Sequence, residues 1–199
     1  MRKRLTSERR KRLICEQVQA LIPEKGYAQL TMEDIMRACG LSKGGLYHHF
    51  KSKEEILEYL VIQGSKEKYK ELPFFIEKYK HLSPLDSIVE MTYDKIMDNS
   101  EGNKFWAHIL CEAKYNHQLK KMLDELQEII KGIFLEQIKE YNVLDLQYVT
   151  TDSFMAFMNA IMVSVEVLDS REIFEKNPKF LKSIIRNYII EMKGEENEK

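Results

Sequence analysis

Side chains that donate hydrogen bonds are concentrated in one short stretch of this sequence. Lys43 can reach the edge of a guanine base or a phosphate oxygen, and Tyr47 and His48 can donate to phosphate oxygens. Gly44 and Gly45 are small enough to let a polymer approach the backbone closely. These residue types in this order predict a surface that contacts the phosphates and base edges of a nucleic acid.

Two short helices are expected to position these side chains. Thr31 and Asp34 have the spacing of a capping box, which predicts a helix over residues 31–39 that ends at Gly40. Ser42 can cap a second helix that runs to about Phe50. The pair of helices, joined by a tight glycine turn, predicts a helix-turn-helix.

Further groups that suit phosphate flank this pair. The helix ends at Thr31 and Ser52 each present backbone N–H groups without helical partners, and Lys53 adds charge in the first turn of its helix. The basic runs 9–12 and 2–4 can bind a nucleic-acid backbone or enter a minor groove.

The net charge of -1 conceals an uneven distribution. Residues 1–53 hold twelve Lys/Arg and five Asp/Glu, or +7, whereas the remainder holds 19 and 27, or -8. A basic end on an acidic body favours a polyanion partner for the N-terminal part alone. Charge by itself leaves open a basic, solvated surface without any partner.

Helical patterns continue through nearly the whole chain, without the alternation typical of strands. We expect an all-α protein of about nine helices, with a three-helix DNA-binding domain over 1–53 and a six-helix domain over 54–199. Pro23 and Gly26 are expected to break the first helix after residue 22. The predicted helices are 7–22, 31–39, 42–50, 52–72, 84–98, 103–114, 117–140, 146–168 and one opening at 178.

Composition predicts a cytoplasmic protein without membrane contact. No apolar run approaches the roughly 18–20 residues that span a bilayer, and no apolar segment follows the basic N-terminus. The cysteines Cys15, Cys39 and Cys111 are odd in number and far apart, which favours reduced, buried thiols.

The C-terminal helices contain aromatic and methionine side chains that can line a pocket for an amphipathic small molecule or form plain core. Asn159 and Glu166 are polar exceptions in a very apolar helix, and each can orient a ligand or face solvent or a partner subunit. The candidate effector contacts are Tyr93, Phe105, Trp106, Tyr115, Phe154, Phe157, Met158, Asn159 and Met162.

Metal, cofactor and catalytic motifs are not evident. His48 and His49 point about 100° apart on a helix and no Cys or carboxylate completes a ligand set, so we expect His49 to pack against the first helix. No nucleophile elbow, phosphate-binding glycine loop or HExxH motif is present, so we expect neither an enzyme nor a cofactor.

Two helices are expected to form a homodimer interface. From Phe154 to Leu168, twelve of fifteen residues are apolar, and such a helix must be covered on nearly every side. We assign the interface to helices around 146–168 and 178–192, because two-fold operators require a two-fold protein. The alternative is that both helices only close the core of one subunit.

The N-terminal quarter closely resembles the signature of the tetracycline-repressor (TetR) family. The resemblance covers about residues 9–60 and is carried by residues 26–27, 31–32, 35, 40–53 and 56. It implies phosphate contacts for Thr31, Tyr47, His48 and Lys53. It also implies base-edge positions for Arg37, Ser42, Lys43 and Gly44; Gly45 and Lys51 complete the predicted DNA contacts.

The same resemblance implies a ligand-responsive repressor that binds a palindromic operator in double-stranded DNA as a dimer and is released by a small-molecule effector. Control by a partner protein, and activation in place of repression, remain alternatives. The effector, the operator and the regulated genes are not readable from the residues.

Overall fold

A computed structural model describes residues 6–197, apart from the side chains of residues 144 and 195–197. Within that range the chain forms eleven α-helices and one 3₁₀ segment, and no strand. The helices are α1 (Ser7–Lys25), α2 (Met32–Cys39), α3 (Lys43–Tyr47), α4 (Lys53–Tyr69), α5 (Leu72–Tyr79), α6 (Pro84–Met97), α7 (Glu101–Ala113), α8 (His117–Glu140), α9 (Asp152–Val167), α10 (Arg171–Lys176) and α11 (Pro178–Asn197), with the 3₁₀ segment Leu144–Thr150 before α9.

Local capping explains where the first helices begin. The Thr31 hydroxyl accepts a hydrogen bond from the Asp34 N–H, and the Asp34 carboxylate accepts one from the Thr31 N–H, which completes the predicted capping box. Gly40 ends α2 in the left-handed conformation, with φ of 61°. Ser42 then caps α3 through the Gly45 N–H. The all-α class and the N-terminal helix-turn-helix are confirmed.

Ser52 and Glu55 also have the spacing of a capping box, which predicts the start of the next helix, but this second box is only half formed. The Ser52 hydroxyl accepts the Glu55 N–H at 3.3 Å, as expected. The Glu55 carboxylate, however, accepts the N–H of Lys51 at 2.6 Å instead of the Ser52 N–H. This longer return bond ties the end of the α3 turn to the start of α4.

Several predicted boundaries are wrong. α1 continues through Pro23 to Lys25, although proline has no backbone N–H to donate within the helix. Gly26, with φ of 82°, ends the helix instead. α3 ends at Tyr47 rather than Phe50. The predicted 52–72 helix stops at Tyr69, and α5 follows as a separate helix.

The count of nine helices is likewise too low. The predicted 146–168 helix is divided, because Thr151 is extended and its hydroxyl accepts the Phe154 N–H to start α9. α10 fills the stretch between α9 and α11, where a boundary between helices was expected but not a helix.

Two hydrophobic clusters form the core. The first joins α1–α4 to α7 and the N-terminal half of α8, and it includes Ile35, Leu46 and Phe50. The second joins α5, α6, the end of α8, the 3₁₀ segment, α9 and α11. Since the first cluster crosses residue 53, the proposed boundary between residues 53 and 54 lies inside shared core packing.

Two expectations from composition can be compared with the structure. No helix in the described part of the chain has the length and apolarity needed to cross a membrane. The three cysteines are free thiols, but only Cys15 is buried; Cys39 and Cys111 are partly exposed.

Candidate functional site

The two faces of α3 have opposite environments. Leu46 is fully buried beneath the helix, as is Phe50 just beyond it. Lys43 and His48 are exposed, and 44% of the Tyr47 side chain is accessible. The apolar face therefore holds α3 on the core while its cationic and hydrogen-bonding face points to solvent.

Most of the other predicted DNA contacts lie on exposed surface around α3. Gly45 and Lys53 are partly covered, and a Cβ at Gly45 would lie 3.2 Å from the Ser42 Oγ that caps the helix. The exposed members of the set are Thr31, Arg37, Ser42, Gly44 and Lys51. We call the surface formed by Thr31, Arg37, Ser42, Lys43, Gly44, Tyr47, His48 and Lys51 the recognition face.

The N–H and hydroxyl groups of Thr31 already form hydrogen bonds within the first turn of α2. Both donate to Asp34 Oδ2, at 3.0 and 2.5 Å. Lys25 binds the same carboxylate oxygen at 2.6 Å, and the Lys25 and Thr31 bonds lower the pKa of Asp34 well below its usual value. The donors that remain for a phosphate here are the first-turn amides of Met32 and Glu33.

Lys53 is less free than a surface cation. Its Nζ donates to the carbonyl oxygens of Tyr27 and Ala28, at 2.8 and 3.3 Å, and lies 4.5 Å from the centre of the Tyr27 ring. An ammonium carries three donors, so one remains available. Lys53 thus fastens α4 to the loop before α2 while leaving room for the predicted phosphate contact.

The basic run at the start of α1 is only partly committed to contacts within the protein. Lys11 lies over the rings of Phe50 and Tyr59, with its Nζ 5.4 and 5.1 Å from the ring centres. Arg12 pairs with Glu67 at 3.0 Å. Residues 2–4, predicted to extend this basic surface, lie outside the described residues.

His49 packs toward α1, as expected. Its Nδ1 lies 3.5 Å from the Ser7 Oγ, and its ring meets that of His48 edge-on. Partial burial, with smaller contributions from His48 and nearby cations, lowers the pKa of His49. No group of three or more potential metal ligands occurs among residues 6–197.

A large cavity of about 1270 Å³ lies between α1, α4, α6, α7, α8 and α9. Five of the nine candidate effector contacts line it: Phe105, Trp106, Met158, Asn159 and Met162. Asn159 has a defined partner, because its Oδ1 accepts the Trp106 Nε1–H at 3.2 Å.

The other four candidates do not line this cavity. Tyr115 is 84% exposed, and Phe154 is only 1% exposed within the second core cluster. Tyr93 and Phe157 pack against that same cluster. Glu166, whose role the sequence left open, pairs with Arg171, which also donates to the Met97 carbonyl.

Sequence reasoning did not identify the polar end of the cavity. Lys68 on α4 and Lys95 on α6 both line it, as does Asn103. Lys68 pairs with Asp98, which also accepts the Ser100 hydroxyl at 2.8 Å. Asn103 is buried, and its amide donates to the carbonyls of Lys95 and Asp98, each at 3.0 Å. No pattern of adjacent residues announces this grouping, because α4, α6 and α7 contribute to it separately.

One side chain connects the cavity wall to the helix-turn-helix. Glu112 lies on α7, the helix that also supplies Phe105 and Trp106 to the cavity. Its carboxylate accepts the backbone N–H groups of Tyr27 and Ala28, at 2.6 and 2.7 Å. The loop that Lys53 holds by its carbonyls is thus held from the other side by its amides.

Comparisons with known proteins agree with this architecture. The sequence profile described as "Bacterial regulatory proteins, tetR family" matches residues 19–60. The chain is 24% identical over 120 residues to the HTH-type transcriptional regulator UidR of Escherichia coli K12, a match that spans 60% of each protein. It is also 24% identical over 183 residues to the Transposon Tn10 TetC protein of Escherichia coli, covering 87% of each.

A solved structure shows the same fold. Salmonella enterica GusR aligns with a TM-score of 0.63 and 19% sequence identity, covering 91% of this chain and 93% of that one. The chain is therefore similar to the tetR family of bacterial regulatory proteins over its helix-turn-helix, and it shares the all-helical fold of GusR.

Proposed function

We propose that the protein is a transcriptional regulator that binds a palindromic operator in double-stranded DNA as a homodimer and is released by a small-molecule effector. The observation that supports this proposal most strongly is the recognition face, where α3 buries Leu46 and exposes Lys43, Tyr47 and His48. A short helix with its donors turned outward can enter a major groove while the preceding helix lies across the backbone.

A second copy of the chain supplies the other half of the DNA-binding surface. Apolar side chains remain exposed at the end of α9 and on α10 and α11, at Leu168, Ile173, Phe180 and Ile190. Burying them against a second copy fits the predicted interface and creates two recognition faces. In a dimer of this kind, two such faces about 34–36 Å apart enter successive major grooves.

The cavity and the Glu112 contact supply a route for regulation. A ligand in the cavity touches α7, and α7 holds the loop between α1 and α2 through Glu112. A ligand that favours one position of α7 therefore biases the spacing of the two recognition faces. Release follows if the ligand and the operator prefer different positions, with a coupling of about 1–3 kcal/mol typical. The cavity has room for a small molecule, which supports a small molecule as the effector.

The test is DNA binding by two variants of the recognition face. Operator duplexes are first selected from a random pool with the purified protein, and affinity is then measured by fluorescence anisotropy. Lys43→Ala and Tyr47→Ala are expected to weaken binding about tenfold or more, since each removes a contact to DNA. Lys139→Ala, which removes an exposed lysine at the end of α8, is the matched control and is expected to bind normally.

The salt dependence of DNA binding gives an independent measurement of the phosphate contacts. Each lost phosphate contact is expected to flatten the slope of log K against log salt by about 0.9. Unchanged affinity in both recognition-face variants, or failure to enrich any duplex, would exclude this function.

Oligomeric state tests the dimer separately. Phe180→Asp places a charge on the proposed interface, whereas Phe74→Asp alters an equally exposed phenylalanine on α5. Sedimentation is expected to show monomers for the first variant and dimers for the second. Monomeric wild-type protein, or equal dimerisation of both variants, would contradict the assignment.

A further inference from the structure

Several of the charged side chains that line the cavity form ion pairs with each other. Arg12 pairs with Glu67, Lys120 with Asp124 and Lys131 with Asp152. At least one partner in each of these pairs is more than half exposed. Such exposed pairs interact weakly and leave little net charge to attract a ligand.

Lys95 differs from these residues. It lines the cavity but is only partly exposed. Among the described residues, no carboxylate lies within ion-pair distance of its ammonium group and no acceptor receives a hydrogen bond from it. Asp98, the carboxylate with the larger electrostatic influence on Lys95, is already bound by Lys68 and by the Ser100 hydroxyl. Two lysines therefore share one aspartate at this end of the cavity, which leaves one positive charge uncompensated.

The partial burial of the Lys95 ammonium changes its pKa. Burial, with a smaller contribution from Lys68, lowers the pKa of Lys95 to about 7; Asp98 and Glu71 act in the opposite direction and do not offset it. A partly buried cation without a partner carries a desolvation cost, and it is stabilised when an anion arrives. The site thus favours a ligand that brings one negative charge.

The apolar part of the lining comes largely from other helices. α7 supplies Phe105 and Trp106, α8 supplies Leu123 and Phe134, and α9 supplies Met158 and Met162. Aromatic and methionine side chains accommodate varied apolar shapes. The cavity therefore has one cationic corner and an extended apolar wall.

We propose that the effector is an amphipathic organic anion whose carboxylate or equivalent acidic head binds Lys95 and whose apolar body lies against α7, α8 and α9. This deepens the proposed function by taking the cavity as the effector site. The binding itself is measured without DNA, so the two proposals can fail separately.

Calorimetric titration with matched pairs of probes tests the head group. Decanoate is compared with decanamide, and 1-naphthaleneacetate with 1-naphthaleneacetamide, all below aggregation concentrations. At least one carboxylate is expected to bind about 10- to 100-fold more tightly than its amide, as charge-assisted hydrogen bonds in a desolvated site typically do. Equal affinity of acid and amide in both pairs, or no binding of either acid, would overturn the proposal.

Two lysine variants test the position of the charge. Lys95→Met keeps most of the length of the side chain and removes the ammonium, and it is expected to abolish the preference for the acids over the amides. Lys114→Met removes an exposed lysine that also borders the cavity and is expected to keep that preference. Amide binding that survives in Lys95→Met shows that the cavity is intact. A preference retained in Lys95→Met would refute the role of this lysine.

The pH dependence gives a signature that packing alone does not produce. Above pH 7 the free protein must take up a proton at Lys95 before binding the acid, so affinity is expected to fall by up to tenfold per pH unit between 7 and 9. Glu71, Asp98 and Lys68 are the other charged groups near this ammonium. This decrease in affinity with rising pH is expected to be absent in Lys95→Met. If the decrease persists in that variant, the proposal is contradicted.

Discussion

The recognition face and the cavity handle positive charge in opposite ways. On the recognition face, Arg37, Lys43 and Lys51 are exposed and have no carboxylate partner among the described residues. Around the cavity, Lys120 and Lys131 are paired with carboxylates, whereas the partly buried Lys95 has no such partner among the described residues. Many solvated charges suit a polyanion that releases counterions, whereas one partly buried charge beside apolar side chains suits a small anion.

The two regions also differ in how they are assembled. The recognition face is set by contacts within about four residues, such as Thr31 with Asp34 and Ser42 with Gly45. The cavity needs six helices from across the chain. Glu112 is the point at which the two assemblies meet, and substitutions on either side of it test how separate they are.

The largest expected effect concerns the two faces of α3. Leu46→Ala is expected to lower the free energy of unfolding by about 2–5 kcal/mol, because it opens a cavity at a fully buried site. Tyr47→Ala is expected to change stability by less than about 0.5 kcal/mol while still weakening DNA binding. Urea unfolding of both variants measures this contrast. Equal destabilisation would mean that Tyr47 is packed and that α3 has no free face.

Lys95 provides the corresponding test on the cavity side. Its folded pKa of about 7 lies below the ordinary value of 10.5, so the unfolded chain binds more protons between these values and stability rises with pH there. The destabilisation is complete below pH 7 and is relieved as pH rises toward 10.5. Lys95→Met is therefore expected to raise Tm by about 4 °C or more at pH 6, with a smaller gain at pH 9. A lower Tm than wild type at pH 6 would show that the ammonium has a stabilising partner.

Glu112→Gln tests the connection between the regions. An amide can accept from only one of the two N–H groups of Tyr27 and Ala28, and its NH₂ group then faces a donor. We expect a loss of about 1–3 kcal/mol in unfolding free energy, together with altered DNA affinity.

The control for Glu112→Gln is Glu101→Gln. Glu101 is an exposed residue on α7 that pairs with Lys104. This variant is expected to change neither quantity. Normal stability and normal DNA binding in Glu112→Gln would show that the loop does not depend on α7.

The smallest expected effect belongs to the cap of α2. Thr31→Ala removes the side-chain acceptor for the Asp34 N–H and is expected to cost about 1 kcal/mol. Binding of decanoate in the cavity is expected to stay unchanged, because the loss is confined to one helix terminus. Urea unfolding measures the loss of stability, and calorimetry measures the affinity for decanoate. A changed decanoate affinity would show that the recognition face and the cavity are coupled more strongly than proposed.

The sequence alone determined the helix-turn-helix, its caps and the exposed face of α3. Those features depend on residues three or four apart, whose hydrogen bonds and backbone preferences act within a single turn. The same logic placed α6, α7 and α8 almost to the residue. It failed at Pro23, which lies inside α1, at the break before α9, where the extended Thr151 starts a new helix, and at α10, which was not expected.

Tertiary structure alone decided which side chains share the cavity. Tyr93, Phe154 and Phe157 have the same apolar character as Phe105 and Met158, yet only the latter two line it. Lys95 and Glu112 carry no local signature, because their importance comes from a missing partner in one case and from a loop 84–85 residues away in the other. Burial and contact between distant helices depend on how the elements pack, and a one-dimensional pattern of residue types does not encode that directly.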